Sequence, residues 1–262
     1  MESELRSRVD QPVAVPVPEP EPERERPRQS TRGENLIISI HIPKTAGTTL
    51  ASILDYAVSR QILYDYDDQI IPKDEAQIRD IAWLIERFKV VHGHFHYSKY
   101  ADIFPEARFV TVLRDPVERT ISNYFHLMRS KDMSKFAYRK IVEDKLDIVG
   151  FSTLGNMRKA QSLYLAGADL DRFAVVGMTE DMPATVKLIR KVLGLAAYHP
   201  TMLGRMGFVP KTNVGYGRLL AQFKHGFVTR SVRQKIRENI APDWELYVKA
   251  KERFEALKRE HL

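Results

Sequence analysis

The sequence predicts an α/β protein, with a central parallel sheet covered by helices on both faces. Two observations carry this. Short runs of β-branched and apolar residues alternate with stretches whose apolar residues recur at helical spacing, the pattern of strand–helix–strand units. The residues able to do chemistry collect just past the ends of the strand-like runs, at Pro43-Lys44, His92 to His96, Arg114-Asp115 and Thr179-Glu180. In open parallel sheets, ligands bind at the carboxyl ends of the strands.

Residues 1–35 hold eight acids and six basic residues and alternate proline with charge, so little there can enter a core. They predict a disordered tail, polyproline-like in places, ahead of one domain over 36–262. Within that domain "NLIISIHI" reads as a short buried strand and "TTLASILDYAV" as the helix after it. "KDEAQIRDIAWLIERF" spaces Ile78, Ile81, Leu84, Ile85 and Phe88 as a helix does. "KVVHGHF" is a second strand, and "ARFVTVLRDP" a third that Arg-Asp-Pro stops. "PVERTISNYFHLMR" follows as a helix with Pro116 in its first turn, where a missing N–H costs nothing. "FSTLGNMRKAQSLYLAG" predicts one helix with Gly167 as its stop. "RFAVVGMTE" is a fourth strand and "DMPATVKLIRKVLG" a helix ending at Gly194. Residues 198–219, rich in glycine and proline, suit a loop or lid, and 229–260 read as helix interrupted at Ala241-Pro242.

With 262 residues, 44% hydrophobic and 29% charged, the chain suffices for one real core. Its net charge is +7; the tail carries −2, which leaves +9 on the body. A basic body suits an acidic ligand such as a nucleotide, a sulfated or phosphorylated glycan, a nucleic acid or a membrane surface. The absence of cysteine excludes disulfides, thiolate metal sites and a cysteine nucleophile. No apolar run approaches the roughly 18 residues of a membrane span, and the N-terminus lacks a signal-peptide pattern. The expectation is a cytoplasmic protein with no transmembrane segment.

The junction "IISIHIPKTAGTTLASIL", residues 37–54, places an anion site at a helix start. Unpaired backbone N–H groups and the helix dipole attract anions there. Ala46 and Gly47 allow close approach, Thr48 and Thr49 add hydroxyls, and Lys44 supplies a full charge. The nucleoside triphosphatase loop G-x-x-x-x-G-K-[ST] does not fit, because Ile42 stands where its first glycine belongs and Thr48 replaces its lysine.

"HIPKTAGTT" resembles the loop that grips the 5′-phosphosulfate of 3′-phosphoadenosine 5′-phosphosulfate (PAPS) in carbohydrate sulfotransferases, nearest the heparan sulfate 2-O- and 6-O-sulfotransferase branch. "LRDPVERTISNYFH" is similar to that family's 3′-phosphate strand and helix, and "VVGMTED" and "DWELYVKAKERF" are weaker echoes. The resemblance covers about residues 36–255. It implies the P-loop-like sulfotransferase fold and PAPS as donor. It also implies that Lys44, Thr45, Ala46, Gly47, Thr48 and Thr49 hold the donor's 5′ end, while Arg114 and Ser122 hold its 3′-phosphate. The physics agrees, since a donor with phosphates at both ends needs two anion sites, and an arginine can grip a phosphate with two hydrogen bonds. The alternative for Arg114 is a structural ion pair with Asp115 or Glu118.

"HGHFHY" sets His92, His94 and His96 at alternating positions, which in a strand aims all three at one face. Imidazoles bind zinc, but sulfuryl transfer needs a general base and no metal, and histidine suits that work. The resemblance implies His94 as base and His92 as helper. His96 is an addition to the family's pattern, so the base remains open among the three. The implied reaction is in-line transfer to a hydroxyl of a glycan or glycolipid, with a protein tyrosine as another acceptor. Two rivals remain: a P-loop-type kinase or hydrolase, and a non-catalytic polyanion or nucleic-acid module using residues 124–140. On the favoured reading no nucleic-acid partner is expected.

Overall fold

The computed structural model describes residues 34–67, 74–85, 87–195 and 228–262. The expected tail, up to residue 33, and the expected loop or lid over 198–219 lie outside the described residues.

Five parallel strands form one sheet: β1 (Ile37–Ile40), β2 (Ile62–Asp65), β3 (Val90–Gly93), β4 (Arg108–Leu113) and β5 (Val175–Met178). Their order across the sheet is β2-β3-β1-β4-β5. Every residue of β1, β3 and β5 is buried, as a sheet covered on both faces requires. The edge strand β2 buries only Ile62 fully. The carboxyl ends lie flush: Ile40 is level with Gly93 on one side and Thr111 on the other, and Asp65 is level with Gly93.

The helices are α1 (Gly47–Ala57), α2 (Glu75–Ile85), α3 (Pro116–Ser130), α4 (Phe136–Glu143), α5 (Ile148–Ser152), α6 (Gly155–Arg158), α7 (Ala160–Tyr164), α8 (Met182–Leu193), α9 (Arg230–Asn239) and α10 (Ala241–His261). Local chemistry sets their ends. The Asp115 carboxylate accepts from the N–H groups of Val117 and Glu118, and proline occupies the first turn of α3. Asp181 caps α8 in the same way, and Gly194 closes it in the left-handed conformation. From β1 the chain crosses to β2 on one side of the sheet, and from β4 to β5 on the other. Right-handed crossovers then put the connecting helices on opposite faces and open a crevice between the carboxyl ends of β1 and β4.

Two elements differ from expectation. The sequence reading has no strand at 62–65, because a half-exposed four-residue edge gives neither a long apolar run nor a clean alternation. The single helix expected over 151–167 is three short ones. Leu154 is extended and Lys159 leaves helical geometry, and the chain turns at each point. Gly167 is not the stop expected of it: the last of the three helices ends at Tyr164 with Leu165 as its cap, and Gly167 lies beyond with φ +77°. Among the described residues no helix is long and apolar enough to cross a membrane.

Candidate active site

The loop from β1 to α1 holds a backbone that ordinary residues avoid. Lys44 and Ala46 both have positive φ, 75° and 63°, a conformation costing roughly 1–3 kcal/mol each and typical of ligand-gripping loops. Ala46 is the N-cap of α1 and offers no side-chain cap, and the first turn holds no acid. Unlike α3 and α8, this helix keeps its leading amide groups for something else. At Gly47 a Cβ would run into the His41 ring, so a larger residue there would displace that ring. Thr45, expected to help hold the donor, is buried, and both its N–H and its hydroxyl donate to the Ile42 carbonyl, which braces the loop. Thr48 is exposed and Thr49 half-buried at the helix start.

Cations converge on this loop. Burial, then Arg129 and Arg114, push the Lys44 ammonium below its ordinary pKa. His126 is also lowered, by burial and then by Lys44, Arg129 and Lys135. Ser122, His126 and Arg129 recur at near-helical spacing on α3, which brings them to one side of the helix. Among the described residues, Lys44, Arg114 and Arg129 take part in none of the ion pairs. Carboxylates of Glu118, Glu180 and Asp115 act on Arg114 from a distance without pairing with it among the described residues, so the three cations keep their direct contacts open.

Arg114 ends β4, and its guanidinium donates to the Lys44 carbonyl at 3.3 Å, bridging the β1–β4 crevice. The structural ion pair weighed for it is absent, because the nearby acids are engaged elsewhere. Asp115 caps α3, Glu118 pairs with Arg233, and Glu180 accepts from the Asp115 N–H and the Thr179 hydroxyl. Gln161 clamps the Arg114 backbone, accepting from its N–H at 3.0 Å and donating to its carbonyl at 2.9 Å. Gln161 is fixed in turn by buried Asp243, whose carboxylate accepts from the Gln161 and Ser162 N–H groups and the Ser162 hydroxyl. Ser122 lies half-buried two turns into α3, one turn beyond the fully buried Arg119.

The histidines divide. His92 is buried within β3, its Nδ1 2.9 Å from the Ser39 hydroxyl, and burial plus His94 push its pKa down to about 4. His94 follows the strand end, half-buried, with its ring 4.5 Å from that of His41. His41 also stacks on His92 at 5.3 Å, and burial, then His94, His92 and Lys44, lower it to about 3. His96 does not share this face: the strand ends at Gly93, and the His96 ring stacks on Tyr164 at 5.2 Å. The strand-face alternation expected for all three therefore fails at the third. Among the described residues no group of three or more His, Asp or Glu side chains is placed to hold a metal ion.

Gly93 lets the end of β2 close on this cluster, for a Cβ there would overlap the Asp65 carbonyl. Asp65 is locked by the Lys99 ammonium at 2.6 Å and the Tyr100 hydroxyl at 2.7 Å, while Lys99 also donates to the Asp67 carbonyl. Sequence reasoning missed His41, Arg129, His126, Gln161, Asp243 and the β2 tyrosines. Only Arg129 and His126 left a usable trace, their helical register with Ser122.

A family model described as the sulfotransferase family matches residues 17–196. No curated protein matches the sequence. Among solved structures, the chain is similar to the mouse sulfotransferase SULT7A1 complexed with PAP, at 13% identity and a TM-score of 0.39, over 67% of this chain and 65% of that one. It is also similar to a sulfotransferase from Alicyclobacillus acidocaldarius, at 18% identity and a TM-score of 0.33, over 66% of this chain and 91% of that one. The match thus spans just under two thirds of the mouse structure's length. The family model covers well over half of the sequence and includes the β1 loop, the β4 end and the histidine cluster, and the chain belongs to the sulfotransferase family.

Proposed function

We propose that this sulfotransferase moves the sulfuryl group of PAPS to a hydroxyl of a carbohydrate or glycolipid acceptor by in-line displacement. The observation that carries this is the gathering of Lys44, Arg114 and Arg129 at the β1–β4 crevice, outside every ion pair among the described residues, with the histidine cluster on the β3 side of the same loop. The donor supplies an activated sulfuryl group on a phosphate leaving group. The open amide end of α1, with Ala46, Gly47, Thr48 and Thr49, suits its 5′-phosphate. Arg114 and Ser122 take the 3′-phosphate.

His94 takes the hydroxyl proton as the acceptor oxygen bonds to sulfur. The sulfur–oxygen bond to the 5′-phosphate breaks, its electron pair leaves with the phosphate, and Lys44 neutralises the charge that develops there. His92 is a poor base, enclosed and held neutral to about pH 4. His96 packs on Tyr164 instead of joining the cluster. Positioning and electrostatics carry the rate, as in phosphoryl transfer. The resemblance to the heparan sulfate branch supports a sugar hydroxyl as acceptor.

One pair of variants tests the division of labour. Arg114→Ala is expected to weaken adenosine 3′,5′-bisphosphate in calorimetry far more than adenosine 5′-phosphate. His94→Ala is expected to slow radiosulfate transfer from PAPS by about 10²–10⁴-fold while bisphosphate affinity holds. Equal weakening of both nucleotides by Arg114→Ala, or normal turnover by His94→Ala, would remove the corresponding assignment.

A further inference from the structure

Tyr64 and Tyr66 stand out on the β2 edge. Aromatic rings are usually covered, yet these are 45% and 54% exposed. Their rings are parallel to within 6° with centroids 6.3 Å apart, forming a two-ring ledge. The ledge leads into the histidine cluster: Tyr66 meets His94 edge-on at 4.9 Å, and Tyr64 meets His92 at 6.1 Å. It is also held in place. The Asp65 side chain and the Asp67 carbonyl, one residue to either side of Tyr66, are both tied to the buried Lys99 ammonium. An exposed ring clamped on both flanks and directed at the base is arranged to receive something.

The charge here is opposite to that of the donor crevice. Asp55 acts on Tyr64, whose phenol is raised by burial, Asp55 and Tyr66. Asp67 is exposed beside Tyr66. Among the described residues, the cation that these contacts name, Lys99, lies buried and is bound by Asp65. A polyanionic chain would meet carboxylates on this side.

On the sulfotransferase reading proposed above, we infer that the Tyr64–Tyr66 ledge is the acceptor platform, and that it takes an uncharged pyranose ring whose hydroxyl points to His94. A sugar ring presents an apolar C–H face to aromatic rings, the usual complement of an aromatic-lined site. Its remaining hydroxyls can donate to carboxylates at the rim, such as Asp67. A phenol has no second hydroxyl to offer once its own faces the base.

The test uses the full chain with methyl β-D-glucopyranoside, methyl β-D-galactopyranoside, methyl β-D-glucuronide and p-nitrophenol as probes. Saturation-transfer NMR reads acceptor contact, radiosulfate transfer from PAPS reads KM and kcat, and calorimetry with adenosine 3′,5′-bisphosphate reads the donor site. The neutral glycosides are expected to contact the wild type and to outcompete the glucuronide severalfold at low salt, with Asp67→Asn narrowing that gap. Tyr66→Ala is expected to raise glycoside KM about tenfold, with the loss in KM and not in kcat or bisphosphate affinity, while Tyr66→Phe keeps wild-type KM. A preference for the glucuronide or for p-nitrophenol, an unchanged KM in Tyr66→Ala, or a bisphosphate-binding wild type that contacts no neutral glycoside would overturn the inference. If the bisphosphate itself does not bind, the donor reading fails instead. NMR contact that depends on Tyr66 still decides the ledge in that case.

Discussion

His41 and His92 are neutral imidazoles inside a cationic site, and this neutrality links their chemistry to stability. Burial and neighbouring positive groups hold them near pKa 3 and 4, against about 6.5 in an unfolded chain. Below about pH 6.5 the unfolded chain therefore takes up protons that the folded chain refuses, so stability falls with pH down to about 3–4 and is level above 6.5. The melting temperature is expected to drop between pH 6.5 and 4, and less steeply in His41→Asn than in wild type. Carboxylates titrate alike in both proteins, so the difference isolates the imidazole, and equal slopes would remove the effect. The same residue shows where the sequence stops being legible. Lys44, Gly47 and Arg114 stand out as candidates because each belongs to a local motif. His41 stands in the quoted motif too, but its part depends on rings from another strand, and no spacing along the chain reports that. Thr45 shows the reverse, a motif residue whose donors turn inward.

At the level of elements, the short helix α7 and the long helix α10 together hold the end of β4. Asp243, in the first turn of α10, accepts from α7's Gln161 and Ser162, and Gln161 grips the Arg114 backbone. Arg119 is fully buried with Nε and Nη2 unpartnered among the described residues, and Asp243 is the acid that most offsets its burial. Asp243→Ala is thus expected to destabilise the protein by about 3–5 kcal/mol in chemical denaturation, the range for leaving a buried charge uncompensated. Gln161→Ala spares Arg119, so it is expected to cost less stability yet still weaken the bisphosphate. Unchanged affinity in Gln161→Ala would mean that Arg114 needs no clamp. This tie explains why 151–167 misled as sequence: its apolar spacing is helical throughout, but a carboxylate some 80 residues away holds the first turn of a separate helix that starts at Ala160. The four buried strands and the longer capped helices were legible because period and caps are local. Edge strand β2 was not, since its place depends on Gly93 and on the Lys99–Asp65 pair.

Across the whole molecule, the proposed reaction would follow the order of the strands. Adjacent strands lie about 4.8 Å apart, and reading β2, β3, β1, β4 passes from the Tyr64–Tyr66 ledge to His94, the Lys44 loop and Arg114. The cationic half and the aromatic half belong to opposite sides of β1, so on the proposed reading neither ligand would cross the other's ground to enter. Steady-state kinetics should bear the mark of that layout. Donor and acceptor are expected to form a ternary complex in either order, giving intersecting rather than parallel double-reciprocal lines. Adenosine 3′,5′-bisphosphate is expected to compete with PAPS while leaving a noncompetitive pattern against the acceptor. Parallel lines would instead point to a sulfated enzyme and a two-stroke cycle, for which a sheet that brings both partners to one histidine has no need.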